Sequence, residues 1–200
     1  MKYFIFILSA VAWDSSAQSI TKYFGLVYDV NKPLSNKEFI DNISKRGAKL
    51  IYREYINEKF SVGGDLGFSH YQDYVPPMVY TDGNTSIYTD LYGYVSNYSL
   101  TVSGDYSFFT NKILQPYVGL GIGATYSKLQ AFYNVYGEEE GKWAALLRIN
   151  AGALLRFGKL SSWGALAGIH FGTSTLRSSN FEYKTFSDLG FQAGLVYMKR

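Results

Sequence analysis

Residues 115–127, QPYVGLGIGATYS, admit few folds. Taken by parity, Val118, Leu120, Ile122, Ala124 and Tyr126 share one face of an extended chain. Tyr117, Gly119, Gly121, Gly123, Thr125 and Ser127 share the other. Successive side chains of a strand point to opposite faces. One face is therefore apolar, and the other is mostly glycine and small hydroxyl. A sheet facing water more often carries Lys and Glu on its polar side. A small polar face opposite an apolar one suits a strand with lipid outside and a crowded lumen inside.

The same alternation recurs along the chain. Strands are expected at about 23–30, 48–56, 60–71, 88–109, 115–127 (continuing to about 135), 143–157, 163–174 and 184–198. In the first, Phe24, Leu26, Tyr28 and Val30 oppose Gly25, Val27 and Asp29. The second, around LIYREYI, phases either way, so either Arg53 or Glu54 points inward. In the sixth, Ala145, Leu147, Ile149, Ala151, Ala153, Leu155 and Phe157 form an unbroken apolar face.

Between the first two strands, Ser35-Asn36-Lys37-Glu38 matches a capping box, with Phe39, Ile40 and Ile43 at helical spacing and Gly47 as a stop. This predicts a short helix in a long first loop, packed on the barrel rim or, alternatively, held out for a partner. Further long loops are expected at 74–87, where Pro76-Pro77 and Asp82-Gly83-Asn84 carry turn chemistry, at 137–142 and at 177–183. The intervening turns at 57–59, 110–114 and 158–162 are short.

Mean hydropathy is −0.08, which argues against a bundle of membrane helices. A barrel is compatible with it, because lipid-facing and lumen-facing residues average out. The net charge of +3 is small and its basic residues are scattered, giving no support to a nucleic-acid partner. With 0 Cys, disulfides, thiol catalysis and Cys-ligated metals are excluded. At the start, Lys2, the apolar stretch 3–13 and Ser15-Ser16-Ala17 read as a secretory signal cut ahead of Gln18. The apolar stretch is shorter than the roughly 20 residues a spanning helix needs. The expected division is a signal at 1–17 and one barrel domain at 18–200.

The fold class expected is all-β: an eight-stranded antiparallel up-and-down transmembrane β-barrel with a short helix in the first long loop. Alternating long and short connections are the habit of outer-membrane barrels, with the short turns on the periplasmic side. Aromatics gather near strand ends: Phe60, Tyr106, Phe108, Tyr117, Phe157, Trp163 and Tyr197 by the short turns, and Tyr28, Phe68, Tyr71, Tyr98, Tyr126 and Phe171 nearer the long loops. Two such girdles are expected at the bilayer interfaces. With its leader, Gly-rich strands and PYVGLGIGA at 116–124, the chain resembles the small outer-membrane β-barrel domain family of Gram-negative bacteria. The resemblance implies a cell outer-membrane location, a lipid surround, passage through the barrel assembly machinery and a monomer. That family includes adhesins, stress-linked barrels and narrow pores, so it does not decide function. One departure is the end of the chain, Tyr197-Met198-Lys199-Arg200, where the family's terminal aromatic is set back.

The inward parity carries Asp29, Asp65, Asp105, Arg148, Arg156, His170 and Asp188, with Arg53 or Glu54. Charges in a low-dielectric interior must pair or hydrogen-bond. An eight-stranded barrel is just narrow enough to be filled by side chains. A plugging ion network is therefore expected, with a charged conduction path as the alternative, kept open by the inward glycines. His170, Ser174 and Asp188 share that parity, but His170 and Ser174 lie about 13 Å apart along the strand, too far for a triad. Glu138-Glu139-Glu140 reads as a solvated acidic loop rather than a divalent-ion site. The run Gly119, Gly121, Gly123 lacks the following helix that nucleotide binding requires. A soluble barrel with an apolar lumen is the fold rival. No cofactor and no enzymatic activity are expected. The expected role is a surface, structural or binding one through long outer loops, with an unidentified extracellular ligand; a small solute pore is the alternative, and a lipid-modifying enzyme stands third.

Overall fold

A computed structural model describes residues 22–82, 85–109, 113–133, 136–158, 161–178 and 185–199. The expected signal at 1–17 and most of the expected fourth loop lie outside the described residues. Eight strands close into a barrel: β1 (Lys22–Pro33), β2 (Arg46–Tyr55), β3 (Phe60–Asp82), β4 (Thr85–Ser107), β5 (Leu114–Tyr133), β6 (Tyr136–Arg156), β7 (Trp163–Ser174) and β8 (Phe186–Lys199). Every pairing is antiparallel between sequence neighbours, and β1 pairs with β8 from Lys22↔Lys199 to Pro33↔Asp188. Closure satisfies the backbone along the ring, which lipid could not do.

The parity is that of a membrane barrel. Leu120, Leu147 and Leu195 point out and are 53%, 40% and 54% exposed. Lys49, Arg53, Asp65 and Asp105 are buried inside. A soluble barrel would have these faces reversed. Ring pairs mark the two girdles: Phe60–Tyr106 and Trp163–Tyr197 near the short turns, and Phe68–Tyr98 and Tyr126–Trp143 at the other end. Tyr117 and Tyr71, expected in the girdles, have the inward parity of their strands and are buried in the lumen instead. Along tilted β4, the step from Tyr106 to Tyr98 spans about 20 Å, close to the roughly 25 Å apolar band of such barrels.

Three expected features differ. The first loop holds no helix. Asn36, which would be the first helical residue after a Ser35 cap, has φ 55°, a left-handed conformation an α-helix does not use, and a single turn follows in which Phe39 and Ile40 both donate to the Asn36 carbonyl. Ser35 does not cap. Its Oγ accepts the Ser187 N–H (2.8 Å) and donates to the Thr185 carbonyl (3.1 Å), tying the loop to β8.

The second and third long loops are mostly strand. β3–β4 pairing continues to Asp82↔Thr85, and β5–β6 pairing to Tyr133↔Tyr136. β2 reaches β3 only up to Arg46↔His70, and β7 reaches β6 only up to Leu146↔Ser174. Above those rungs β3, β4, β5 and β6 project as a blade, four-stranded up to Tyr92↔Phe132 and continued beyond it by the β3–β4 ribbon alone, about 40 Å along β3 in all. Cross-strand rings hold it: Tyr74–Tyr92 at 4.8 Å and Tyr94–Phe132 at 5.8 Å. Pro76-Pro77 is tolerated because β3 is an edge strand there, and the register shifts between Val75 and Met78.

Glu138-Glu139-Glu140 therefore lies within β6. Glu139 bonds Lys128 (2.8 Å), and Glu140 bonds Lys142 (2.7 Å) and Ser178. These bonds hold both carboxyls below their ordinary range.

Ile122 stands in mid-belt and Val79 on the blade, both exposed. Ile122→Arg is expected to destabilise the barrel in lipid vesicles by about 2–4 kcal/mol. Val79→Arg is expected to change it by less than about 0.5 kcal/mol. Urea unfolding followed by tryptophan fluorescence measures both.

Candidate functional site: the plugged lumen and the projecting blade

Two apolar clusters and a polar network fill the lumen. At the short-turn end an apolar cluster is built from Tyr23, Val27, Ile51, Tyr117, Leu154, Leu166, Val196 and Met198. At the blade end a second forms around Tyr71, Val95, Leu129, Leu176 and Phe186. The first loop caps it: Ile40 is fully buried there, beside Phe39. Gly93 allows this, because a Cβ would press on Phe39 and Ile40.

The polar network begins among the short-turn cluster, where Arg53 stands opposite Tyr23 of β1, and runs up to Asp188 beside Tyr71 of the blade-end cluster. Arg53 points inward and Glu54 outward, which resolves the two phasings of β2. Arg53 bonds Asp65 through Nη1 (2.6 Å) and Nη2 (3.2 Å), and Asp105 through Nε (2.5 Å). Asp65 also accepts from Ser103 (2.7 Å) and Thr101 (3.2 Å). One guanidinium thus ties β2 to β3 and β4. Glu54 instead pairs outside with Lys22 (2.9 Å).

Lys49, a residue the parity reading did not single out, donates to Gln192 (2.8 Å) and lies 3.4 Å from Asp29. Choosing the Arg53 phase of β2 would have found it, since Lys49 shares that parity. His170 Nε2 meets Asn31 Oδ1 at 2.9 Å, while its Nδ1 stands 3.6 Å from Asp29. Asp188 accepts from Tyr71 (3.1 Å). Arg148 is buried among these groups, with Nε and Nη1 lacking hydrogen-bond partners among the described residues. Arg156 stands apart, half-buried towards the short turns near Tyr55.

The inward glycines do not widen a pore; neighbouring side chains lie over them. A Cβ on Gly119 would collide with the Asp105 carboxylate, one on Gly172 with Asp188, and one on Gly190 with His170. Glycine here permits close approach. Among the described residues, a void lined by Arg53 and Gln192 measures about 10 Å³, room for about one water. Burying a side chain such as Leu166 contributes about 2 kcal/mol. A buried ion pair roughly breaks even against an apolar substitute. The apolar clusters therefore hold the plug, and the charges set which strands meet.

Ser174, His170 and Asp188 are each committed elsewhere: to the Phe186 carbonyl, to Asn31 and to Tyr71. No cluster of three His, Cys, Asp or Glu capable of holding a metal occurs among the described residues.

Neither protein-family models nor curated proteins match this chain. Solved structures do. Ail, the attachment invasion locus protein of Yersinia pestis, is 15% identical, with 90% of this chain and 97% of that one covered and a TM-score of 0.51. The outer membrane protease OmpT of Escherichia coli is 8% identical, with 93% and 99% covered and a TM-score of 0.51. At these identities the likeness is one of fold, that of outer-membrane β-barrels.

Arg53→Met leaves Asp65 and Asp105 without their cation and is expected to cost about 3–5 kcal/mol. Adding Asp65→Asn and Asp105→Asn should recover most of that loss. Equilibrium unfolding of the single and triple variants in vesicles measures the recovery.

Proposed function

We propose that this chain is a non-enzymatic barrel of the bacterial outer membrane whose plugged lumen is a rigid mount for an extracellular binding surface. The observation that carries this reading is the contrast between its two ends. One end has short turns; the other raises the blade well beyond the upper aromatic girdle. Tyr88, Tyr92, Phe132 and Tyr136 stand exposed on it. Large exposed apolar and aromatic area is costly unless a partner or surface meets it. Tyr presents rigid, amphipathic contact area at low entropic cost. Side chains packed over the inward glycines, and a void of about 10 Å³ beside Arg53, support a filled lumen over an open one.

The attachment named for Ail agrees with a surface role. The protease named for OmpT keeps an enzymatic role in view; against it here, the candidate nucleophile, base and carboxylate are bonded to other groups.

Two measurements test the reading. An epitope tag inserted between Asp82 and Thr85 is expected to bind antibody on intact cells; a tag reachable only after lysis would invert the orientation. In planar bilayers the purified chain is expected to give no sustained conductance, and steady single-channel steps would favour the pore.

A further inference from the structure

Just above the upper girdle, a groove of about 490 Å³ opens between the first loop and β3, lined by Asn42, Lys45, Arg46, His70, Gln72 and Asp73 among others. Lys45 and Arg46 are exposed and have no acidic partner among the described residues. Asp73 is the groove's carboxylate: neutral donors orient it, and against Lys45 and Arg46 it leaves the groove a net positive charge. It accepts the Asp41 N–H (2.8 Å), the Asn42 N–H (3.3 Å) and Asn42 Nδ2 (2.7 Å). His70 is held in place by Ser96 (2.9 Å) and by stacking on Tyr94.

Below this groove on the same strands lies a second hollow of about 480 Å³ in the lipid-facing wall. Its outward residues include Ala48, Leu50, Leu66, Leu100 and Ala124, with Phe68, Tyr98 and Trp143. Ala48 and Ala124 are small among large neighbours, which makes the recess. The register joins the two hollows: Arg46↔His70 lies two residues above Ala48↔Phe68 and four above Leu50↔Leu66. Each two-residue step is about 7 Å along the strand.

We infer that the two hollows form one site for a phosphate-bearing lipid of the outer leaflet, its headgroup on Lys45 and Arg46 and an acyl chain in the recess between Ala48 and Ala124. This rests on the membrane placement given above. Charge complementarity selects the occupant. Cations at the headgroup level attract anionic lipid, and a guanidinium matches a phosphate in two-point geometry. A neutral partner would leave both cations idle, and a free anion would leave the recess empty. Burial and the adjacent Arg46 lower the His70 pKa, so the imidazole adds a neutral hydrogen-bonding group at pH 7 rather than a third charge.

The test uses the full chain folded in neutral micelles, with native mass spectrometry counting retained dimyristoyl phosphatidic acid or dimyristoyl phosphatidylcholine. Phosphatidic acid should be retained about tenfold more strongly than phosphatidylcholine, and the Lys45→Gln/Arg46→Gln variant should lose that preference. Ala124→Phe, which fills the recess, should weaken phosphatidic acid severalfold. Inorganic phosphate should bind far more weakly than phosphatidic acid and be indifferent to Ala124→Phe. Equal retention of the two lipids, an unchanged preference in the double variant, or inorganic phosphate as tight as the lipid would each overturn the inference. Liposome flotation of each chain separates the two failures. A chain that does not float removes the membrane reading and this site with it, whereas a floating chain without lipid preference removes this site alone.

Discussion

A lipid surround offers the backbone no hydrogen bonds, and the rest of this structure follows from that constraint. Each N–H and C=O in the bilayer must find another strand, so the sheet has to close. Closing eight strands creates an interior too narrow for bulk water and too wide to leave empty. The chain fills it with an apolar cluster towards each end and a network of charges that runs from within one towards the other. Alternation then places the aliphatic side chains outside, where a soluble protein would have water.

Charges in that network act as fasteners between strands. Arg53 reaches two carboxylates on two other strands, and Asp65 collects hydroxyls from β4 as well. Such a cluster adds little net stability over an apolar filling, but it penalises any register that separates its members. Glycine is the complement of these long side chains. Where Asp105, Asp188 or His170 lies flat against the wall, the neighbouring strand has no Cβ. A lumen rich in glycine is in this way a full lumen.

The blade and the first loop belong together. Ile40 and Phe39 seal the blade-end cluster, while Asp73 on β3 and the Thr185–Ser187 backbone beside β8 anchor the loop that carries them. Sealing the barrel thus also fixes the base of the projecting sheet. The same anchoring shapes the basic groove beside His70.

Period-two alternation is a local property, so strand count, membrane parity and the inward placement of Asp29, Asp65, Asp105, Arg148, His170 and Asp188 were readable from order alone, as were the girdles apart from Tyr71 and Tyr117, whose nearness to strand ends outweighed their inward parity. Three further things were not. The phase of β2 depended on which cation the acids of β3 and β4 required, a contact between strands. The lengths of β3 to β6 depended on aromatic pairs that exist only once the hairpins form, so turn-like residues such as Pro76-Pro77 and Gly137 misled. The capping box at Ser35 was diverted because its hydroxyl found β8, more than 100 residues away, before it could serve a helix. Local pattern determined which way each side chain faces; only closure of the sheet decided which side chains meet, because a hydrogen bond or an ion pair needs both partners in one place.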